Sequence, residues 1–304
     1  MNNKIVIIGT GFVGTTAAFT LMNSNLVNEI VLIDVDKDKV KGEELDLLNS
    51  EALLKENIDI HVGNYEDCKD AIIVIITAGV SNQNGTSRLE LVNINKDIIT
   101  DITKNVVKSG FDGIFVVATN PVDIMAYLIK KVSNFDKSKV IGTGTLLDTA
   151  RLKYLLSEKY DINDKYIDSL VIAEHGDSSL IPWEYIKINK QNIDLTNIEK
   201  DDIHKEVINM GYDISNKKNA TYYGIAMCIS KIVNIILEDK NEVIPVSTYL
   251  NGEYDNYDVY TSVPCIVNKT GIKEIVNIKL NKEEQDKLNS SCLLLKNIIE
   301  ENNI

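Results

Sequence analysis

Arginine is almost missing from this 304-residue chain: only Arg88 and Arg151 stand beside 30 lysines. Lysine serves wherever a point charge is enough, so a guanidinium kept in such a composition marks a candidate grip on a planar carboxylate. Cysteine is sparse too. Cys68, Cys228, Cys265 and Cys292 form no CxxC pair, which excludes a zinc ribbon or a disulfide framework and predicts free thiols in a reducing, cytoplasmic setting. The start, MNNKIVIIG, has no cationic, apolar and small-residue leader. No apolar run is longer than a strand, as at residues 71–76, so no membrane span is predicted. With a formal charge of −13 and no basic stripe, nucleic-acid binding is excluded as well.

What is present is a balanced globular composition, 44% hydrophobic and 25% charged, sufficient for a large core. A β-branched run at residues 4–8 stops at Gly9, and apolar residues from Phe12 onward recur at helical spacing. Strand-like runs follow at 30–33, 71–76, 113–117 and 140–142, separated by helical patterns at 39–48 and from the loop 79–87 to about 108. Continuous apolar strands alternating with helices predict an α/β fold, a Rossmann-type doubly wound parallel sheet over residues 1–142. Beyond it the rhythm changes. A helix over 145–157, strands at 167–173, 243–250 and 258–264, a hairpin near 269–271 and a closing helix over 282–300 predict a mixed α/β substrate-binding domain over 143–304. There are no internal repeats and no linker rich in proline or serine.

Gly9-Thr10-Gly11-Phe12-Val13-Gly14 is GxGxxG in the context that gives it meaning, after a strand and opening a helix. Gly9 allows the turn, Gly11 lets a diphosphate approach the backbone, and Gly14 lets helix and strand pack closely. The helix N-terminus offers free N–H groups to that diphosphate. Asp34, twenty residues past Gly14, is expected to accept from both ribose hydroxyls of a dinucleotide; with Asp36 it would repel a 2′-phosphate, favouring NAD over NADP.

Asp148 and Arg151 lie three apart on a predicted helix and share a face. His175 stands just past a strand end, free to reach a cleft; His61 and His204 lie in polar contexts without comparable partners. Together with LIDVD, TAG at 77–79, Ser87-Arg88-Leu89, VATNPVD at 117–123, LLDTARL, EHGDS, TYYGI and VSTYLNG, the chain resembles the L-lactate and malate dehydrogenase family along nearly its whole length. The resemblance implies hydride transfer between NAD and a small 2-oxo or 2-hydroxy acid, with no metal. In that reading His175 exchanges a proton with the substrate oxygen, Asp148 orients and charges it, and Arg151 clamps the carboxylate. Arg88 closes from a loop to polarise the carbonyl, while Asn120 and Thr221 touch the substrate. Phe12, Val13, Thr77, Ala78, Gly79, Asn120 and Ile225 line the cofactor beside Gly9, Gly11, Gly14 and Asp34.

The loop 79–87 carries no basic residue for a second carboxylate, which disfavours malate and points to a monocarboxylate, with pyruvate reduced to L-lactate. At the position that reads the substrate side chain, an ungapped alignment places Asn82 with Gln83 next to it. A shift of one residue would let Gln83 act; Asn82 itself would leave room for bulkier 2-oxo acids of the 2-hydroxyisocaproate type. Lys153 and Asp168 stand where many bacterial relatives bind fructose 1,6-bisphosphate through arginine and histidine, so weak or absent activation is expected. The vertebrate N-terminal arm has no counterpart before the first strand, and family analogy suggests a homotetramer or a dimer. Two other classes compete: a metal-dependent, NAD-linked glycosidase, which would need a metal-binding cysteine and histidine near Asn120 or His175, and a non-catalytic NAD-fold protein.

Overall fold

The computed structural model describes residues 3–54, 56–80 and 88–304, with side chains from residue 91 onward in the last stretch. The chain opens with β1 (Lys4–Ile8), α1 (Phe12–Met22), β2 (Glu29–Ile33), α2 (Lys37–Glu51) and β3 (Asp59–Val62). A second βαβαβ unit follows: β4 (Ile73–Ile76), α3 (Arg88–Lys108), β5 (Ile114–Val117), α4 (Val122–Ser133) and β6 (Val140–Gly142). These six strands are parallel, in the order β6-β5-β4-β1-β2-β3. The Ile- and Val-rich central strands β1, β4 and β5 are buried on both faces, as a parallel sheet between helices requires, while edge strand β3 is only partly buried. The order reverses between β1 and β4, and the crevice outside their carboxyl ends is where such a fold places a ligand.

The second half adds α5 (Leu146–Tyr160), then a small antiparallel sheet of β7 (Ile167–Asp168), β8 (Lys187–Ile188) and β9 (Gln191–Asn192). Helices α6 (Asn197–Lys218) and α7 (Tyr223–Leu237) follow, then the antiparallel meander β10 (Glu242–Asn251), β11 (Tyr257–Asn268) and β12 (Gly271–Ile275), and finally α8 (Lys282–Glu301). The meander continues the large sheet: Ser247 of β10 pairs with Gly142 of β6, making nine strands among the described residues. A Cβ on Gly142 would stand 2.7 Å from that of Ser247, so only glycine permits this seam. The main core runs through it, from Ile5 and Val74 to Ile232, Val246, Val263 and Leu288. A separate core of Leu152, Leu156, Val171, Ile186 and Val207 lies beneath α5 and α6.

Local signals explain the helix ends. Asp36 accepts from the Lys39 amide at the start of α2, and Thr196/Glu199 and Asn281/Glu284 form capping boxes on α6 and α8. Where many chains use glycine, this asparagine-rich one ends α4 and α6 with left-handed Asn134 and Asn219. The strand expected over 167–173 is broken. Only Ile167–Asp168 joins a strand ladder, and Ile172 and Ala173 make single bridges to Leu180 and Ser262. Ala173, at φ +74°, cannot continue an extended strand, and the kink sends the next residues toward the cleft.

Candidate active site

The cofactor cradle is built at the carboxyl end of β1. Gly9 has φ +99°, its amide donates to the Ile33 carbonyl at 2.8 Å, and a side chain there would overlap the Ala78 backbone. A Cβ on Gly14 would overlap the Gly9 carbonyl, which the Thr77 hydroxyl also binds at 2.7 Å. Gly11 is the opposite case: nothing lies within 4 Å of where its Cβ would be. It caps α1 without a side-chain acceptor, and the first turn has no acidic residue. The orphan N–H groups and the positive end of the helix therefore face open space, which fits a diphosphate. Asp34 sits beside this cradle. Its Oδ2 accepts from the Thr10 amide (2.6 Å) and hydroxyl (2.8 Å), and its Oδ1 from the Asp36 amide (3.1 Å). Partial burial would raise its pKa, but these hydrogen bonds and Lys39 outweigh that and hold it below the usual carboxylate value.

The rim of the crevice is tied together by Asn95, a residue that pattern reading does not single out. From α3 it accepts from the Val80 amide (2.8 Å) and donates to the Asn120 carbonyl (2.8 Å). Thr119 donates to the Ala78 carbonyl at 2.7 Å. The ends of β4 and β5 are thus locked to each other behind Gly79.

The acid–base group lies where the second half meets this rim. His175 Nδ1 is 2.6 Å from Asp148 Oδ2, and Arg151 Nη1 donates to Asp148 Oδ1 at 2.9 Å. One carboxylate in the first turn of α5 thus holds both an imidazole and a guanidinium. The three side chains are 22%, 7% and 10% exposed for His175, Asp148 and Arg151, so this is no solvated surface pair. A Cβ on Gly211 of α6 would sit 3.1 Å from Arg151 Nη2, so the missing side chain leaves the guanidinium its room. A second carboxylate stands behind: fully buried Asp123 accepts the His175 amide (2.9 Å) and the Ser247 hydroxyl (2.5 Å). Burial alone would lower the His175 pKa, but the charge and hydrogen bond of Asp148, helped by Asp123, raise it. Asp148 goes the other way: burial pushes it up, and His175 and Arg151 bring it below its ordinary value. Burial raises Asp123. The pattern is an imidazole whose charged form is favoured by a neighbouring carboxylate, beside a guanidinium, an arrangement able to give a proton next to a clamped anion.

The family model for the lactate/malate dehydrogenase NAD binding domain matches residues 3–142, and that for the family's alpha/beta C-terminal domain matches residues 145–303. The chain belongs to the lactate/malate dehydrogenase family. Among curated members it is 46% identical to an L-lactate dehydrogenase of Borrelia hermsii and 44% identical to one of Lactococcus lactis subsp. cremoris, over 98% of each chain in both cases. Among solved structures, the ligands-bound minor L-lactate dehydrogenase of Enterococcus mundtii superposes with a TM-score of 0.95 at 41% identity, over 98% of both chains. A lactate dehydrogenase from a Medee basin deep-sea metagenome library gives a TM-score of 0.96 at 39% identity, covering 100% of this chain and 99% of the other. The first half is accordingly a lactate/malate dehydrogenase NAD-binding domain, and the cofactor is NAD.

Other residues that the family resemblance singled out are distributed as follows. Thr221 is half-buried one step before the cap of α7, and Ile225, on that helix, packs against the main core. Asn120 is exposed at the end of β5, and Phe12 is exposed at the first position of α1, its ring stacked on that of Tyr222 with centroids 5.3 Å apart. Val13 is half-buried against the core. Arg88 opens α3, but its side chain, like the whole of Asn82 and Gln83, lies outside the described residues. The other histidines are not without partners. His204 lies 3.1 Å from the Ser179 hydroxyl, and His61 shares the outer edge of the sheet with Asp59 and Glu29, a group of potential metal donors on β2 and β3 rather than at the β1–β4 crevice. All four cysteines are buried free thiols, and burial pushes Cys68, Cys228 and Cys292 up to about 12. Among the described residues no helix is long and apolar enough to cross a membrane.

Proposed function

We propose that this chain is a cytoplasmic NAD-dependent L-lactate dehydrogenase in which residues 1–142 hold the cofactor and residues 143–304 supply the proton donor and the carboxylate clamp. The observation that carries the reading is the single buried carboxylate of Asp148 binding His175 and Arg151 together. When bound, the reduced cofactor supplies the hydride. Arg151 grips the carboxylate of the 2-oxo acid through parallel hydrogen bonds that a lysine does not reproduce. His175 then gives its proton to the carbonyl oxygen as the C–O bond is reduced, leaving a neutral imidazole whose tautomer Asp148 fixes. Asn120 and Thr221 would orient the substrate, Ile225 would pack against the nicotinamide ring of the bound cofactor, and Arg88 would stabilise negative charge as it grows on the oxygen.

The natural substrate is pyruvate. The stretch 79–87 contains no cation and Arg88 follows it directly, so a dicarboxylate would enter with one charge unpaired. Initial rates of NADH oxidation with pyruvate, 4-methyl-2-oxopentanoate, phenylpyruvate and oxaloacetate, compared as kcat/KM, test this. Pyruvate should lead and oxaloacetate trail. Equal inactivity with all four would sink the dehydrogenase reading, and a preference for the bulkier acids would move it to the 2-hydroxyisocaproate type. We also propose self-association as a tetramer or dimer, supported by the exposed apolar side chains of Phe19, Leu45, Leu48, Tyr223 and Met227 on the neighbouring helices α1, α2 and α7. Sedimentation velocity at assay concentration checks it; a single 34.0 kDa species would refute it.

A further inference from the structure

Resting on the NAD-linked reading above, we propose that Thr10, the residue between the two glycines of the first GxG, is a positioning residue that sets Asp34 for the adenosine ribose and so helps to select NAD over NADP. An ionised carboxylate offers about four acceptor sites. In Asp34 the chain itself fills three: the Thr10 amide and hydroxyl both lie on Oδ2, at 2.6 and 2.8 Å, and the Asp36 amide lies on Oδ1 at 3.1 Å. One acceptor direction, on Oδ1, stays open for a ribose hydroxyl. Asp34 is itself only half-buried, whereas Thr10 is completely buried, so its hydroxyl cannot meet the cofactor and acts through Asp34 alone. The loop beneath cannot drift, because Gly9 is fixed at φ +99° against Ala78 and Gly14 against the Gly9 carbonyl. Thr10 therefore carries the rigidity of the glycine turn into the orientation of the ribose acceptor on the neighbouring strand.

The direction of the effect follows from burial. In Thr10→Val the shape is nearly kept, but a methyl group faces the second acceptor direction of Oδ2. That direction points into the protein, where neither water nor cofactor can use it, and an unmet buried acceptor on a charged group is unfavourable. The carboxylate relieves this by turning outward, and the open direction on Oδ1 no longer meets the ribose. A 2′-phosphate takes no hydrogen bond from Asp34 and is repelled by its charge in either orientation, so its binding should change far less than that of NADH.

Fluorescence titration of NADH and NADPH onto the otherwise unliganded full chain tests the proposal, with the thermal midpoint of each variant as a control for folding. Thr10→Val should bind NADH roughly tenfold more weakly, the loss of one charge-assisted hydrogen bond, and its preference for NADH over NADPH should fall by about the same factor. Thr10→Ser should restore both. In an Asp34→Ser background, Thr10→Val should have no further effect on NADH binding, because the group it acts through is gone. In steady-state assays the loss should fall on KM for NADH rather than on kcat. NADH affinity in Thr10→Val within twofold of the parent, or an equal loss for NADPH, would overturn the proposal, as would a tenfold loss that persists without Asp34. Failure of the parent chain itself to bind NADH would instead overturn the NAD-linked reading.

Discussion

Replacing Asp148 with asparagine tests the centre of the proposed mechanism, because one side chain serves two partners that both need an acceptor. Asp148 takes the His175 Nδ1 hydrogen at 2.6 Å and an Arg151 Nη1 hydrogen at 2.9 Å. An amide of the same shape has one oxygen and one NH2 group. If the oxygen turns to His175, two donors face each other at Arg151; if it turns to Arg151, the imidazole loses its orienting acceptor. The charge is lost in both cases. Two opposite charges about 4 Å apart at an effective dielectric constant near 20 attract by about 4 kcal/mol, an upper bound for what the imidazolium loses. With part of that recovered by the surviving hydrogen bond, the expected loss is about 2 to 4 kcal/mol, or about 30- to 1,000-fold in kcat/KM for pyruvate.

The pH profile separates this from simple damage. His175 is held above its ordinary value mainly by Asp148, so pyruvate reduction in the parent should decline only as pH rises through that raised pKa. The same pairing contributes folding stability that is fully present below the unfolded imidazole value and is lost as pH climbs through the folded one. In Asp148→Asn the alkaline limb should move to lower pH, and the deficit relative to the parent should shrink in acid. Rates measured from acidic to alkaline pH at saturating NADH decide it. A variant within threefold of the parent at neutral pH, with its alkaline limb unmoved, would refute the assigned role.

His175→Asn should lower kcat by about 10²- to 10⁴-fold, the usual share of a general acid, while NADH affinity by fluorescence stays near that of the parent. Alanine at two glycines of the cradle should give opposite signatures. Gly11 has φ −73° and open space where Cβ would go, so Gly11→Ala should keep the thermal midpoint but weaken NADH binding more than tenfold, the methyl group standing where the diphosphate approaches. In Gly14→Ala the methyl group overlaps the Gly9 carbonyl, and the unliganded protein itself should melt earlier. Fructose 1,6-bisphosphate should leave the KM for pyruvate nearly unchanged at neutral pH, since exposed Asp168 would repel a phosphate; a large drop in KM would contradict this.

Much of the parallel sheet was legible because its signals are local. Each buried strand is a continuous Ile/Val run, and the glycine turn announces itself by spacing alone. Asp148 and Arg151 were legible for the same reason, since three residues on a helix share a face whatever the rest of the chain does. The strand at 167–173 is broken after Asp168, at the polar Ser169, and the positive φ of Ala173 turns the backbone again just before His175. Helices α4, α6 and α7 were not anticipated, although Thr196 with Glu199 is a capping box that could have announced α6.

The partners that hold the site in place were invisible for a different reason. Asp123 stands in the first turn of α4, where an acidic residue is explained well enough by the helix dipole. Nothing local says that this carboxylate is buried, or that it meets the His175 amide 52 residues on and the Ser247 hydroxyl 124 residues on. Those contacts exist because β10 joins the sheet at Gly142, a seam that no periodicity encodes. Thr10 is the same case on a smaller scale: a position that the glycine motif leaves free becomes specific only once β1 and β2 lie side by side and bring Asp34 within hydrogen-bond reach. The residues proposed to do chemistry are thus recognised by type and spacing, whereas those that hold them in place are defined by adjacency. A chain that kept every motif but lost the Gly142–Ser247 seam would retain His175 and Asp148 in sequence and lose the geometry on which their proposed role depends.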